Sequence, residues 1–211
     1  MAKGGDFERE IARKLSLWFT GGERDDIFGR SDGSGGRFTS RRKSGKDTAN
    51  QSGDITFTDV IGEPLIKRWS IELKTGYADK SSNKLIDKKG KSVKILYRWD
   101  LLDLIDSTQK VPIFIDFWNQ TKRDADLSGR TPVLIFRRNL RTECICFSRG
   151  YFHNLVDTFG FPDSFVIQVG KRICVLGLSG FFKWVPDIRC FLGAEDGFAE
   201  KIQTRGFKIT R

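Results

Sequence analysis

Three residues carry types and spacing that could do chemistry: Glu72 and Lys74 in "WSIELK", and Asp54 in "SGDITF". On a strand, side chains alternate between faces, so Ser70, Glu72 and Lys74 point one way while Trp69, Ile71 and Leu73 point the other. An acid and a lysine then project side by side. If Asp54 comes beside Glu72, two carboxylates repel unless a cation joins them. Mg²⁺ suits that place, because it is a hard cation that takes a few carboxylate ligands and keeps several waters. Lys74 beside it would orient or deprotonate an attacking water and offset charge on a phosphate. Such a set is suited to phosphodiester hydrolysis. The plainer alternative is that Glu72 and Lys74 form an ordinary surface pair and Asp54 is a turn residue.

Several elements must position these groups. "DITFTDV" (54–60) and "PLIKRWSIELKTG" (64–76) read as two strands joined at Ile61-Gly62-Glu63, a hairpin that would set Asp54 next to Glu72. Ahead of them, "KGGDFERE" begins a helix expected over Asp6–Phe19 and ended by Gly21-Gly22. Phe7, Ile11, Leu15 and Trp18 fall on one stripe at roughly 100° per residue. Glu8 leans into that stripe and Glu10 points to solvent. A buried carboxylate needs a partner. Glu8 is therefore either a boundary residue complementing the helix dipole or a border of the metal site.

The rest of the chain is basic. Its 211 residues hold 37 Lys and Arg against 27 Asp and Glu, a net charge of +10, which favours a polyanionic partner, nucleic acid first. The stretch from Arg30 to Gly53 is rich in Gly, Ser, Arg and Lys, and Arg37, Arg41, Arg42 and Lys43 make it a candidate arm for DNA phosphates. A second basic loop spans 78–94. A helix is expected over 98–107 and another from Pro112 to about Ala125, with Phe114, Phe117, Trp118 and Thr121 on one face. Gln120 and Lys122 on that helix could reach phosphate, or form a plain exposed face. "TPVLIFRRN", "ECICFS", "FVIQVG" and "ICVLGL" read as strands, which gives an α/β sandwich around a mixed sheet. The four cysteines form no CxxC pair and His153 is the sole histidine, which argues against zinc and against a histidine base. No apolar run approaches 18 residues and no signal-peptide pattern appears, so a cytoplasmic protein is expected, with no membrane partner.

The pattern Gly53-Asp54 … Glu72-Leu73-Lys74 resembles the PD-(D/E)xK nuclease superfamily, with Gly53 where many members carry proline. Within it, Lys3-Gly4 followed by Glu8-Arg9-Glu10, and Arg30-Ser31 in a Gly/Ser-rich loop, are similar to archaeal-type and phage Holliday junction resolvases. The match covers Lys3–Thr75, about a third of the chain. The resemblance implies a restriction-endonuclease-like α/β/α core, expected over residues 1–150, and the strand patterns beyond it give a β-rich extension over 151–211 packed on the same domain. It implies metal acids at Asp54 and Glu72, a helix glutamate at Glu8 near or on the metal, and a catalytic lysine at Lys74. It also implies DNA contacts by Arg9, Arg30 and Ser31. The activity it implies is Mg²⁺-dependent endonucleolytic cleavage of branched DNA, with Mn²⁺ as a substitute, by a homodimer that works in the host cytoplasm if a phage encodes it. A restriction-type or nicking endonuclease, or an inactive DNA-binding module on the same scaffold, are the alternatives.

Overall fold

A computed structural model describes residues 3–31, 53–75, 84–86, 92–94, 113–138, 141–170 and 172–188. Arg37, Arg41, Arg42 and Lys43, most of the lysine-rich loop, and the helix expected over 98–107 lie outside the described residues.

Helix α1 (Lys3–Phe19) starts earlier than expected and ends where expected. Gly21 and Gly22 take left-handed φ values of 67° and 96°, and the Gly22 N–H donates to the Leu17 carbonyl at 2.7 Å, closing the last turn. The stripe of Phe7, Ile11, Leu15 and Trp18 is buried as its spacing requires. Glu10 departs from the solvent-side expectation. It accepts from Lys14 at 2.8 Å and from Arg137 at 2.8 Å, and these cations also hold Glu143.

The expected hairpin does not form. Strand β1 (Phe28–Arg30) pairs antiparallel with β2 (Ile55–Phe57). Between β2 and β3 (Trp69–Thr75) lie a 3-10 turn (Val60–Gly62) and helix α2 (Glu63–Arg68). The local reasons are plain. The Asp59 carboxylate accepts from the Ile61 N–H at 3.0 Å, Pro64 falls in the first turn, and Lys67 pairs with Glu63 one turn away at 3.2 Å. "EPLIKR" is therefore a helix start, and β3 begins only at Trp69.

Part of the second basic loop is also ordered. Strands β4 (Lys84–Ile86) and β5 (Ser92–Lys94) form a small antiparallel ribbon. Helix α3 (Ile113–Ser128) follows and buries Phe114, Phe117, Trp118 and Thr121, the expected face. Strands β6 (Thr131–Arg137) and β7 (Cys144–Ser148) come next. Helix α4 (Arg149–Phe159) replaces the turn expected at Arg149-Gly150, because the Ser148 hydroxyl caps it by accepting from the Tyr151 N–H. Strands β8 (Val166–Val169) and β9 (Ile173–Gly177) and helix α5 (Leu178–Trp184) complete the described residues. Beyond residue 150 helix therefore accompanies strand, where a β-rich segment was expected.

The fold is mixed α/β. Five strands run in the order β3-β6-β7-β9-β8, with β3 and β6 parallel and the other pairs antiparallel. The strands after residue 150 thus extend the same sheet. Alternation splits the core between its two faces. Trp69, Ile71, Val133, Ile135 and Phe147 pack with α1 and α5 on one face, while Leu134 and Cys146 pack with α3 on the other. Trp69 centres the first face. It is fully buried, its indole N–H donates to the Tyr151 hydroxyl at 2.6 Å, and it stacks on Trp18 at 6.1 Å between ring centroids. Among the described residues no helix is long and apolar enough to cross a membrane.

Trp69→Ala is expected to cost about 3–5 kcal/mol, the usual range for emptying a buried aromatic site. Urea unfolding checks this; a loss under about 1 kcal/mol would mean that the site collapses without penalty.

Candidate active site

Strand β3 is an edge strand of the five-stranded sheet, so one side of its backbone needs partners from elsewhere. Asp54 supplies them. Its N–H donates to the Ile71 carbonyl at 2.7 Å, and the Leu73 N–H donates to its Oδ2 at 2.8 Å. A carboxylate thus takes the place of a strand partner, and its position beside Glu72 follows. The juxtaposition read from the sequence is present, but a side-chain clasp makes it and not a hairpin.

Gly53 makes the close approach possible. Its φ is +92°, and a Cβ there would lie 2.6 Å from the Ile71 oxygen and 2.8 Å from its nitrogen. No other residue fits that space, and proline, held near −65°, cannot adopt that φ. Ser31 steadies the segment from below. Its N–H donates to the Asp54 carbonyl at 2.9 Å and its hydroxyl to the Gly53 carbonyl at 2.7 Å. The structure therefore places Ser31 buried and bonded to the backbone that carries Asp54.

Between Ile71 and Leu73 on β3, Glu72 is only 7% exposed. Its Oε1 accepts from Lys74 Nζ at 2.6 Å and from Gln120 Nε2 at 3.1 Å. Lys74 also stands 5.5 Å from the centre of the Phe117 ring. Both Phe117 and Gln120 come from α3, which covers this face of the sheet. Gln120, which the sequence offered as a phosphate contact, is turned inward to Glu72. Lys122 is exposed and paired with Asp126. Asp124, one turn beyond Gln120 and hydrogen-bonded to it, was missed by the sequence reading. The four-residue spacing from Gln120 was the available signal.

Glu8 reaches the same region from α1. Its side chain is 14% exposed and accepts from Arg30 at the end of β1. Arg9 pairs with Asp6 at the surface. The two guanidinium groups converge at the start of α1, where a Cβ on Gly5 would meet Arg30 at 3.4 Å and Arg9 at 3.7 Å. Glu8, Arg9, Arg30, Asp54, Glu72, Lys74 and Gln120 are thus brought to one end of β3.

The electrostatics follow from burial. Desolvation, and then the neighbouring Glu72 charge, pushes the Asp54 carboxyl up to about 7, against the Leu73 N–H. Glu8 adds a smaller push in the same direction. Burial also raises Glu72, despite the opposing pull of Lys74. Burial raises Asp124 as well, against the pull of Arg123 and Lys74. The site holds more negative charge than its buried cations neutralise comfortably.

That excess suits a divalent cation. Among the described residues no three His, Cys, Asp or Glu side chains converge into a ready cage. Mg²⁺ does not need one, since one or two carboxylates with water and substrate phosphate complete its shell. Asp54 and Glu72 fit that requirement, with Glu8 held back by Arg30.

Comparison of the chain with family models, with curated proteins and with solved structures finds no match to any of them.

The Asp54 environment has a measurable consequence. The folded carboxyl titrates near 7 and an unfolded one near 3.8, so the folded chain holds a proton that the unfolded chain has released between those values. This group's contribution to stability is greatest below pH 3.8 and is lost as pH rises to about 7. Asn keeps an acceptor for the Leu73 N–H without the charge. Asp54→Asn is therefore expected to gain on the wild type between pH 5 and pH 8, by up to about 3 kcal/mol. Urea unfolding in EDTA at both pH values measures it. An unchanged difference would show Asp54 to be an ordinary carboxylate.

Proposed function

We propose that the chain is a Mg²⁺-dependent DNA endonuclease with a restriction-endonuclease-like core, acting on branched DNA and in particular on four-way junctions. The observation that carries this reading is the buried pair of acids, Asp54 clasped to the edge of β3 and Glu72 on it, with Lys74 hydrogen-bonded to Glu72 at 2.6 Å. Acids on rigid backbone beside a lysine, in a chain of net charge +10, suit hydrolysis of a polyanion better than binding alone. The shape preference and the homodimer rest on the resemblance of "KGGDFERE" and Arg30-Ser31 to junction resolvases. A two-fold dimer matches the approximate two-fold symmetry of a junction.

Asp54 and Glu72 would hold the metal, with Glu8 at its border. When bound, Mg²⁺ would acidify a water and polarise the phosphoryl oxygens. The chain's own groups do the rest. Lys74 presents an ammonium where negative charge grows on the phosphate and can orient the attacking water. Gln120 fixes the Glu72 carboxylate against α3. Arg30, at the lip of the site, and Arg9 beside it offer guanidinium groups to backbone phosphates. Arg37, Arg41, Arg42 and Lys43 add positive charge to the segment between β1 and Asp54.

Cleavage assays on four-way junction, fork, single-stranded and duplex DNA test the reading. Wild type with Mg²⁺ or Mn²⁺ is expected to cut the junction in preference, and EDTA to stop it. Asp54→Asn and Glu72→Gln should leave DNA binding intact and cutting undetectable. Lys74→Met should slow it by about 10²–10³-fold. Cutting that survives EDTA would overturn the metal assignment. Equal cutting of all substrates would remove the junction preference while leaving the nuclease.

A further inference from the structure

The five-stranded sheet has two edges, β3 and β8. Asp54 occupies the first, at Ile71 and Leu73. Among the described residues the second is paired on one side only, with β9. Edge strands are ordinarily guarded by charge or proline. Val166–Val169 carries neither, since its residues are Val, Ile, Gln and Val. Phe165, directly before the strand, and Phe161 are the most exposed large apolar side chains among the described residues, at 97% and 74%. Ile167, within the strand, is 40% exposed. A phenylalanine offers about 150–250 Å², so these two leave roughly 250–430 Å² of apolar surface in water. Apolar surface gathered in that way marks an interaction face.

The residues of β8 fit a copy of themselves. Two identical antiparallel strands related by a two-fold axis place one residue opposite its own copy. With Ile167 at that axis, Phe165 falls opposite Val169 of the partner subunit, and Val166 opposite Gln168 of the partner subunit. Alternation puts Phe165, Ile167 and Val169 on one face, so the seam is a continuous row of aromatic and β-branched pairs. No charge within the strand meets its own copy. At the strand ends the charges are complementary. Exposed Asp163 precedes β8 and exposed Arg172 follows it, and an antiparallel copy brings Arg172 of the partner subunit to the end that carries Asp163. Four residues of ladder make a small interface by themselves. Phe161 and Phe165 add about a third to a half of the roughly 800 Å² per partner that a stable complex buries.

We propose that β8 is a dimer interface: its open edge pairs antiparallel with β8 of a second copy of this chain, across a two-fold axis at Ile167, with Phe161 and Phe165 packed against that copy. The two sheets then join into one of ten strands, with a β3 site on each outer edge. Asp54 already occupies those outer edges, so pairing stops at two copies and does not run on as a filament. The proposal gives the homodimer of the reading above its surface and rests on that homodimer; it owes nothing to the metal assignment.

Sedimentation equilibrium of the full-length protein without DNA tests it. Wild type is expected to be a dimer at micromolar concentration. Phe165→Ser removes an almost fully exposed side chain, so the fold should survive while dimerisation weakens about tenfold or more. Ile167→Lys and Ile167→Glu each put like charges face to face at the axis and should weaken it about 100-fold or more. Mixed together, these two variants should pair again as a heterodimer, because opposite charges then meet at the axis. Thermal unfolding checks that each variant is folded. Failure of the mixture to pair would overturn the two-fold at Ile167. A wild-type dimer that all three variants leave intact would overturn β8 as the surface while the homodimer stands. A monomeric wild type would overturn both.

Discussion

Two hydrogen bonds decide where the acids of the candidate site can sit. The Leu73 N–H donates to the Asp54 carboxylate, and the Asp54 N–H donates to the Ile71 carbonyl. They satisfy the open side of an edge strand that would otherwise invite pairing with another chain. They also fix one acid within the field of a second. The approach is so close that only glycine fits before Asp54, at φ +92° with no room for a Cβ. Ser31 then ties the end of β1 to the same segment, which brings Arg30 and its partner Glu8 to the site. These bonds together set the relative places of residues from α1, β1, β3 and the segment before β2.

The same geometry makes the site electrostatically costly. Asp54 and Glu72 are both raised by burial, and the Leu73 N–H and Lys74 only partly offset this. A fold stabilised for its own sake would put apolar groups here, since α3 already packs Phe114, Phe117 and Trp118 against the sheet. Buried acids of raised pKa beside a lysine in a mostly apolar setting are a pattern associated with function. Rigid support is what such a site needs, and β3 supplies it: its other face drives Trp69, Ile71 and Leu73 into the main core.

Where periodicity was strong, the sequence was readable. The stripe of α1, the buried face of α3 and the apolar runs of β6, β7, β8 and β9 were all legible, because each repeats with its element's period. Glu72 and Lys74 share a face for the same reason. Asp54 came to its place although the element predicted to bring it there, the hairpin, is absent. "EPLIKR" carries no period of its own and runs straight into the alternating "WSIELK", so it passes for strand, while the Pro64 position and the Glu63–Lys67 pair that make it a helix act only locally. The inward turn of Gln120 toward Glu72 was hidden because it depends on which face of α3 meets β3, a tertiary fact. Glu10 misled for a similar reason. Its partner Arg137 is 127 residues away, and no helical pattern could announce it.

That last network explains how α1 stays aligned with the site it borders. Glu10 accepts from Arg137 at the end of β6, whose guanidinium also lies 4.6 Å from the Phe7 ring centre. Lys14 and Arg137 both reach Glu143, just before β7. Deeper in the core, the Trp18 indole donates to the Val185 carbonyl at 2.6 Å, and the Phe28 N–H donates to the Ser16 hydroxyl at 2.9 Å. The outer pairs are half-exposed and individually weak. Their value is directional: together with the buried Trp18 and Ser16 bonds they fix the rotation of α1 about its axis. A helix turned by one residue would carry Glu8 about 100° away. The charged pairs on the far side of Phe7 therefore hold Glu8 toward Arg30 and the acids of β3.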